Sequence, residues 1–284
     1  MKLLSTLILA TSIFSASTAH AVTEVKTIFG GVDIWQDSLL QAALEASGND
    51  YTIQKLTNVG FGERAVRDLE GGRGDILWTM TSPEMEQRLI PVRIPLFKGL
   101  LGNRIPIIKK ADSVAFSTLT NEQFRQLKIG QVESWPDAKI LANDGLQVVT
   151  SIEYALLYGM LNSQRFDYFT LGAAEIEAEF DRLGPDNQEI DRHILIQYHS
   201  PAYFFVSPSQ PELAADITAG LETLIANGKF DEMFYNLSIF KDLHQRLKLD
   251  QRTVFYIKNN SLTPETPCNR PELWDSLFTN QCNQ

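Results

Sequence analysis

The sequence predicts an α/β protein of two lobes, each a mixed sheet flanked by helices. Three observations carry this prediction. Strand-like and helix-like segments alternate β-α-β-α-β between Val25 and Met80. The alternation restarts at Lys128 and runs through a second series of the same kind. About 260 residues remain after an N-terminal leader, enough for two modest domains. Alternation of this kind implies parallel strand pairs with helices packed on the sheet faces.

The leader is "MKLLSTLILATSIFSASTAHA". Lys2 supplies a positive start, Leu3 to Phe14 a short apolar run, and Ala19-His20-Ala21 a small-x-small cleavage site. This reads as a secretory signal peptide over residues 1–21, cut after Ala21, and it predicts an exported mature chain. No later apolar run reaches the roughly 18 residues a membrane span needs. Loss of Lys2 takes the formal charge from -10 to -11. An acidic balance of this size argues against nucleic acid and anionic membrane as partners.

The elements follow in order. "VKTIFG" (Val25–Gly30) is a β-rich run. "IWQDSLLQAALEAS" has Ile34, Leu39, Ala42, Ala43 and Ala46 near helical spacing, and Gly48-Asn49 stops it. "YTIQKLTN" alternates like a strand, "GERAVRDLEGGRG" reads as a helix ended by glycines, and "DILWTM" is the next strand. "IPIIKK" (Ile105–Lys110) is a strand, and "LTNEQFRQL" a helix with Thr120 as its cap. "KIGQV", "LQVVT", "FDYFTL" and "HILIQY" are the strands of the second series. Helices over "PDAKILANDG", "IEYALLYGMLNSQ" and "AAEIEAEFDRL" separate them. "AYFFVSP" returns as a strand, Pro211–Gly228 is an amphipathic helix with Pro at its start and Gly at its end, and "KFDEMFYNL" is a further short helix.

Several stretches together resemble the periplasmic solute-binding proteins of the polar-amino-acid type, family 3, in a divergent form. They are "LEGGRGDILWTMTSPEMEQRLIPVRIPLFKGLLG", "LKIGQV", "SIEYALLYGMLNSQRFDYFTLG" and "AYFFVSPSQPELAADITAGLETLIANGKFDEMF". The resemblance covers roughly residues 24–240 and implies the two-lobed type II periplasmic binding protein fold. It implies a discontinuous first lobe, 24–109 plus 206–245, and a second lobe at 110–205. It also implies hinge strands near Ile105–Lys110 and Ala202–Ser207. Residues 246–284 form a tail outside the pattern.

Amino-acid binders of that family hold the ligand carboxylate with an Arg after Pro-Glu, because the planar guanidinium grips a carboxylate bidentately. Here the segment reads Thr79-Met80-Thr81-Ser82-Pro83-Glu84-Met85, so a methionine stands at the anchor position. Arg88, one helical turn on, is a candidate substitute. Asp167 matches the family's structural acid, but Leu171 and Gly172 stand where the ammonium partner would fall. The expected fold therefore carries over and the expected amino-acid site does not.

The ligand candidates are aromatic and hydroxyl residues near strand ends that face the cleft. They are Trp35, Trp78, Thr79, Thr81, Ser82, Ser134, Trp135 and Tyr168, with Arg88, and with Gly30 and Gly31 for close backbone approach. Cys268 and Cys282 are expected to pair in an oxidising compartment and to pin the tail. No metal-binding spacing, nucleophile elbow or phosphate loop occurs, so no cofactor and no metal are expected. Glu84 and Glu133 are the acids a cleft enzyme such as a dehydratase would need. The expected role is a monomeric binder of a small molecule, partnered by an inner-membrane transporter permease or by a membrane sensor receptor.

Overall fold

The computed structural model describes residues 22–29, 34–57, 62–278 and Cys282. The expected signal peptide with its expected cleavage point at Ala21, and Gly30 and Gly31, lie outside the described residues. The first unit runs β1 (Thr23–Thr27), α1 (Ile34–Ser47), β2 (Tyr51–Lys55), α2 (Glu63–Glu70), β3 (Ile76–Met80), α3 (Pro83–Arg88) and β4 (Ile90–Val92). The second opens with β5 (Asn103–Lys109), α4 (Ser113–Phe116), α5 (Asn121–Gln126), β6 (Lys128–Val132), α6 (Pro136–Asn143) and β7 (Gln147–Ser151). It continues with α7 (Leu156–Asn162), β8 (Tyr168–Gly172), α8 (Ile176–Leu183), β9 (Gln188–Ile190) and β10 (Ile194–Gln197). The chain then returns through β11 (Ala202–Val206), α9 (Pro211–Ala226) and α10 (Lys229–Tyr235), and the tail holds α11 (Leu243–Arg246) and β12 (Thr253–Tyr256).

Two sheets result. The first has the order β2-β1-β3-β11-β4, with β1 parallel to β2 and β3, and β11 antiparallel to β3 and β4. The second has the order β12-β10-β5-β8-β6-β7, with β9 also paired to β5. All five residues of β11 are buried, as an uninterrupted apolar run at the centre of a covered sheet should be. Each fully buried Phe of that strand contributes roughly 1.5–3 kcal/mol by area.

The sheets divide the chain at other points than the resemblance implies. The resemblance makes Ile105–Lys110 a hinge strand between the lobes, yet β5 pairs only within the second sheet. β11 belongs wholly to the first. The crossings are instead the connections 93–102 and 198–201. They touch at Gly102, where a Cβ would lie 1.7 Å from the carbonyl oxygen of Tyr198. Only glycine permits that approach.

Local chemistry fixes the elements as the sequence predicts in most places. Thr120 and Gln123 form a reciprocal capping box on α5. Pro136 and Pro211 stand in the first turns of α6 and α9. In α1 the buried face is Trp35, Leu39, Leu40, Ala43 and Leu44, and Ile34 is exposed. The stripe is thus rotated from the expected one toward α9. There Gly220 lets the two helices meet, since a Cβ would lie 1.8 Å from the carbonyl oxygen of Ala43.

The tail is not an appendage of one lobe. β12 adds to the free edge of β10 in parallel register, and Phe255 stacks on Phe124 with ring centroids 4.2 Å apart. The buried Arg252 donates to the carbonyls of Leu247, Asp191 and Ile194. Beyond residue 262 the chain lies on the first lobe. Arg270 holds Glu222 of α9 through two hydrogen bonds, and Lys98 Nζ donates to the carbonyl of Glu272 at 2.7 Å. Cys268 and Cys282 are joined, with an S–S distance of 2.08 Å.

Candidate functional site

A cavity of about 590 Å³ lies between the two sheets. Its walls come from the carboxyl ends of β3 and β6, where open α/β sheets place their ligands. The first lobe supplies Trp78 to Ser82, with Glu84 and Met85 of α3. The second supplies Glu133, Ser134, Trp135 and Lys139. The tail adds Asn259 and Ser261.

The turn after β3 is built by its own polar side chains. Ser82 caps α3, its hydroxyl accepting from the Met85 amide at 3.2 Å. The Thr81 hydroxyl donates to Glu86 Oε1 at 2.6 Å. The side chain of Glu86 is buried, and its other oxygen accepts from Arg93 Nη2 at 2.7 Å and from the Thr263 hydroxyl at 2.9 Å. Thr81 and Ser82 therefore line the cavity with hydroxyls that already serve the fold. Met85 is half-buried against the apolar cluster of Ile28, Val66 and Leu77. It gives the cleft an apolar wall where the resemblance expects a guanidinium.

Arg88 does not replace that guanidinium. It grips Glu63 and Glu70, each through two hydrogen bonds of 2.8–2.9 Å, and also reaches Glu84. Every face of its fork is engaged by carboxylates, which push its pKa above the usual arginine range. It does not line the cavity.

The three tryptophans separate. Trp78 lines the cavity from the first lobe and rests tilted on Phe97, with centroids 5.5 Å apart. Trp135 lines it from the second lobe and stacks on Tyr154 at 5.9 Å. Trp35 is a correction: it is buried in the main core, edge-on to Phe230 and Phe234, and its indole N–H donates to the Leu96 carbonyl at 2.9 Å. Its place on the inner face of α1 removes it from the cleft. Tyr168 is a second correction. It is fully buried among Phe116 and Phe124, with no partner for its hydroxyl among the described residues, and burial pushes its pKa up. Strand alternation turned its side chain to the helix-covered face.

Thr79 and Ser134 do line the cavity, as do both cleft acids, Glu84 and Glu133. Among the described residues, Glu133 and Lys139 form no ion pair. Asp167 has the structural role expected of it, accepting the Lys128 amide at 2.7 Å and so tying β6 to β8. The Gly172 amide donates to Glu175 Oε1. Sequence reasoning missed Lys139, Asn259 and Ser261. Lys139 sits one turn into the predicted helix after Trp135, a spacing that shared its face. Asn259 and Ser261 carried no signal, because nothing local says that the tail returns to the cleft.

No protein-family model matches the chain. No curated protein matches it either. Solved structures do. The structure described as a probable amino-acid ABC transporter extracellular-binding protein of Bacillus subtilis is 12% identical, with a TM-score of 0.57. The match covers 78% of this chain and 100% of that one. An ancestral arginine-binding protein bound to glutamine is 14% identical over 77% of this chain and 99% of its own, with a TM-score of 0.51. An arginine-specific periplasmic binding protein of Salmonella typhimurium is 14% identical over 75% and 97%, with a TM-score of 0.50. Together with the two sheets and the cavity between them, these likenesses establish that the chain has the two-lobed type II periplasmic binding protein fold.

Proposed function

We propose that the protein binds a small organic solute in the cavity between its lobes, without the carboxylate anchor of α-amino-acid binders. The carrying observation is the cavity itself, about 590 Å³ and walled by both lobes. That volume is typical of small-molecule sites. A site divided between lobes gives a ligand contacts that exist only when the lobes are together, which is the source of hinged closure.

The walls indicate the kind of solute. Trp78 and Trp135 offer aromatic surface from opposite lobes. Of the lining charges, Glu63 and Glu84 are already paired with Arg88, and Glu133 and Lys139 have no ion-pair partner among the described residues. Aromatic faces favour a planar or cationic group, and the described lining holds no guanidinium to grip a free carboxylate. Thr79, Ser134 and Ser261 supply hydroxyls for orientation. The proposed destination of the solute is an inner-membrane ABC-type transporter. The likeness in fold to the probable amino-acid ABC transporter extracellular-binding protein of Bacillus subtilis supports that reading.

The test is a thermal-shift screen of the mature chain against amino acids, polyamines, quaternary ammonium compounds, sugars, organic acids and aromatics. A solute at 100-fold its dissociation constant adds about 2.7 kcal/mol. That raises the midpoint of a chain this size by roughly 5–10 °C. The proposal requires a hit that Trp135→Ala weakens. Silence across the set, or a hit that Trp78→Ala and Trp135→Ala leave unchanged, would sink it.

A further inference from the structure

A two-sheet fold of this kind needs two chain crossings, and here they are residues 93–102 and 198–201. The tail adds two more. It leaves the first lobe after α11, enters the second sheet as β12, and returns to the first lobe after residue 262.

The returning segment is fastened at both ends. On the second lobe, the Lys258 amide donates to Asp144 Oδ1 at 3.1 Å, and Asn260 Nδ2 to the Asn143 carbonyl at 3.4 Å. On the first lobe, Thr263 donates to the buried Glu86. Between these points Asn259 is buried. Its Nδ2 donates to the His199 carbonyl in the 198–201 crossing, and its Oδ1 accepts the Ser261 amide. Asn259 and Ser261 both line the cavity. The Ser261 hydroxyl has no partner among the described residues.

We propose that residues 257–263 are a strap across the cleft. It limits how far the lobes can separate and forms one wall of the solute site. Asn259 acts as the positioning residue, holding Ser261 toward the cavity. Glu86 is the coupling point, because one carboxylate holds the strap through Thr263 and the cleft turn through Thr81. A movement of the turn on solute entry is thus passed to the strap. A short tether leaves less open-state freedom to lose on closure, and so favours binding. The wall part of the inference rests on the cleft being a solute site; the restraint on opening does not.

The experiment separates the two. Spin labels at Arg67→Cys on α2 and Ile152→Cys after β7 report the distance between lobes in the full chain without solute. Both side chains are well exposed. Inserting Gly-Ser-Gly-Ser between Leu262 and Thr263 lengthens the strap by up to roughly 13 Å. The expected result is a broader distribution with its mean moved outward, by no more than the roughly 13 Å of added chain. The variant Thr263→Val, which keeps the strap length and loses the donor to Glu86, should broaden the distribution by less. It stands in if the insertion fails to fold. Unchanged distributions in the folded variants would overturn the strap. In the thermal-shift assay, the screen's best solute should then lose about tenfold in affinity for Ser261→Ala. A solute that binds with full affinity to that variant would overturn the wall while leaving the restraint standing. No solute binding to the parent chain would overturn the cleft reading and the wall with it, and again leave the restraint standing.

Discussion

Arg88 holds Glu63 bidentately, Nη1 to Oε2 and Nη2 to Oε1, both at 2.9 Å. It holds Glu70 in the same manner through Nε and Nη2. The whole guanidinium is thus turned on the protein, where it fastens α3 to both ends of α2. Arg88→Gln should therefore lower the thermal midpoint and leave the solute-induced shift intact. A loss of binding at unchanged stability would place the guanidinium at the solute after all. Comparing the two readouts in one melting series decides it.

The two kinds of tryptophan should respond oppositely. Trp35→Phe removes the donor from the buried Leu96 carbonyl, and an orphaned buried acceptor costs about 1–3 kcal/mol. Affinity should hardly change. Trp135→Ala should cost about 1.4 kcal/mol of binding, roughly tenfold in dissociation constant, with little loss of stability. Denaturant melts and titration calorimetry of both variants check the pair.

Two histidines give the stability a pH dependence of opposite sign. The hydrogen bond from His244 Nε2 to Asp275, at 3.0–3.1 Å, raises the His244 pKa. That contribution is complete below the unfolded value of about 6.5 and is lost as pH rises through the folded value. Burial pushes the Asp275 carboxyl up, but the hydrogen bonds from His244 and the Leu277 amide outweigh it and hold it low. His199 is packed edge-on against Trp274 and tilted against Phe278, and burial lowers its pKa to about 4. Its contribution is present above about pH 6.5 and is lost as pH falls from there toward about 4. His199→Phe should flatten the acid-side loss between pH 6.5 and 4. His244→Gln should flatten the alkaline-side loss. Melting midpoints from pH 4 to 9 check both.

Breaking the Cys268–Cys282 link frees the end of the tail, whose pairing closes a 14-residue separation. Chain entropy sets the cost at up to about 3 kcal/mol. Cys268→Ser with Cys282→Ser should lower the midpoint. Dithiothreitol should lower the midpoint of the parent chain by the same amount and leave the double variant unmoved.

Much of this fold was legible because its signals are local. Helix α1 and strand β6 fall on the predicted residues, and the Thr120 cap forms as read. The turn after β3 was legible too, with Met85 on the cleft wall. What was not legible depended on rotation or distance. Trp35 and Trp135 both start helices, but which face of each helix meets the core is set by α9 in one case and by the cleft in the other. Tyr168 lies in a strand read correctly, and one step of alternation decided its side. The short strands β4 and β9 are three residues each, too short to show a period. β12 reads as any short β-rich run, and its partner β10 lies about sixty residues earlier.

That last strand has a consequence for how the chain is made. Every residue of β10 is buried, and β12 is the neighbour that occupies its outer edge. Until the final thirty or so residues have been synthesised, the second sheet presents an apolar, unpaired border able to template intermolecular strand addition. A product that ends before Thr253 keeps that border permanently. Such a fragment should self-associate, although nearly all of the two lobes is present in it.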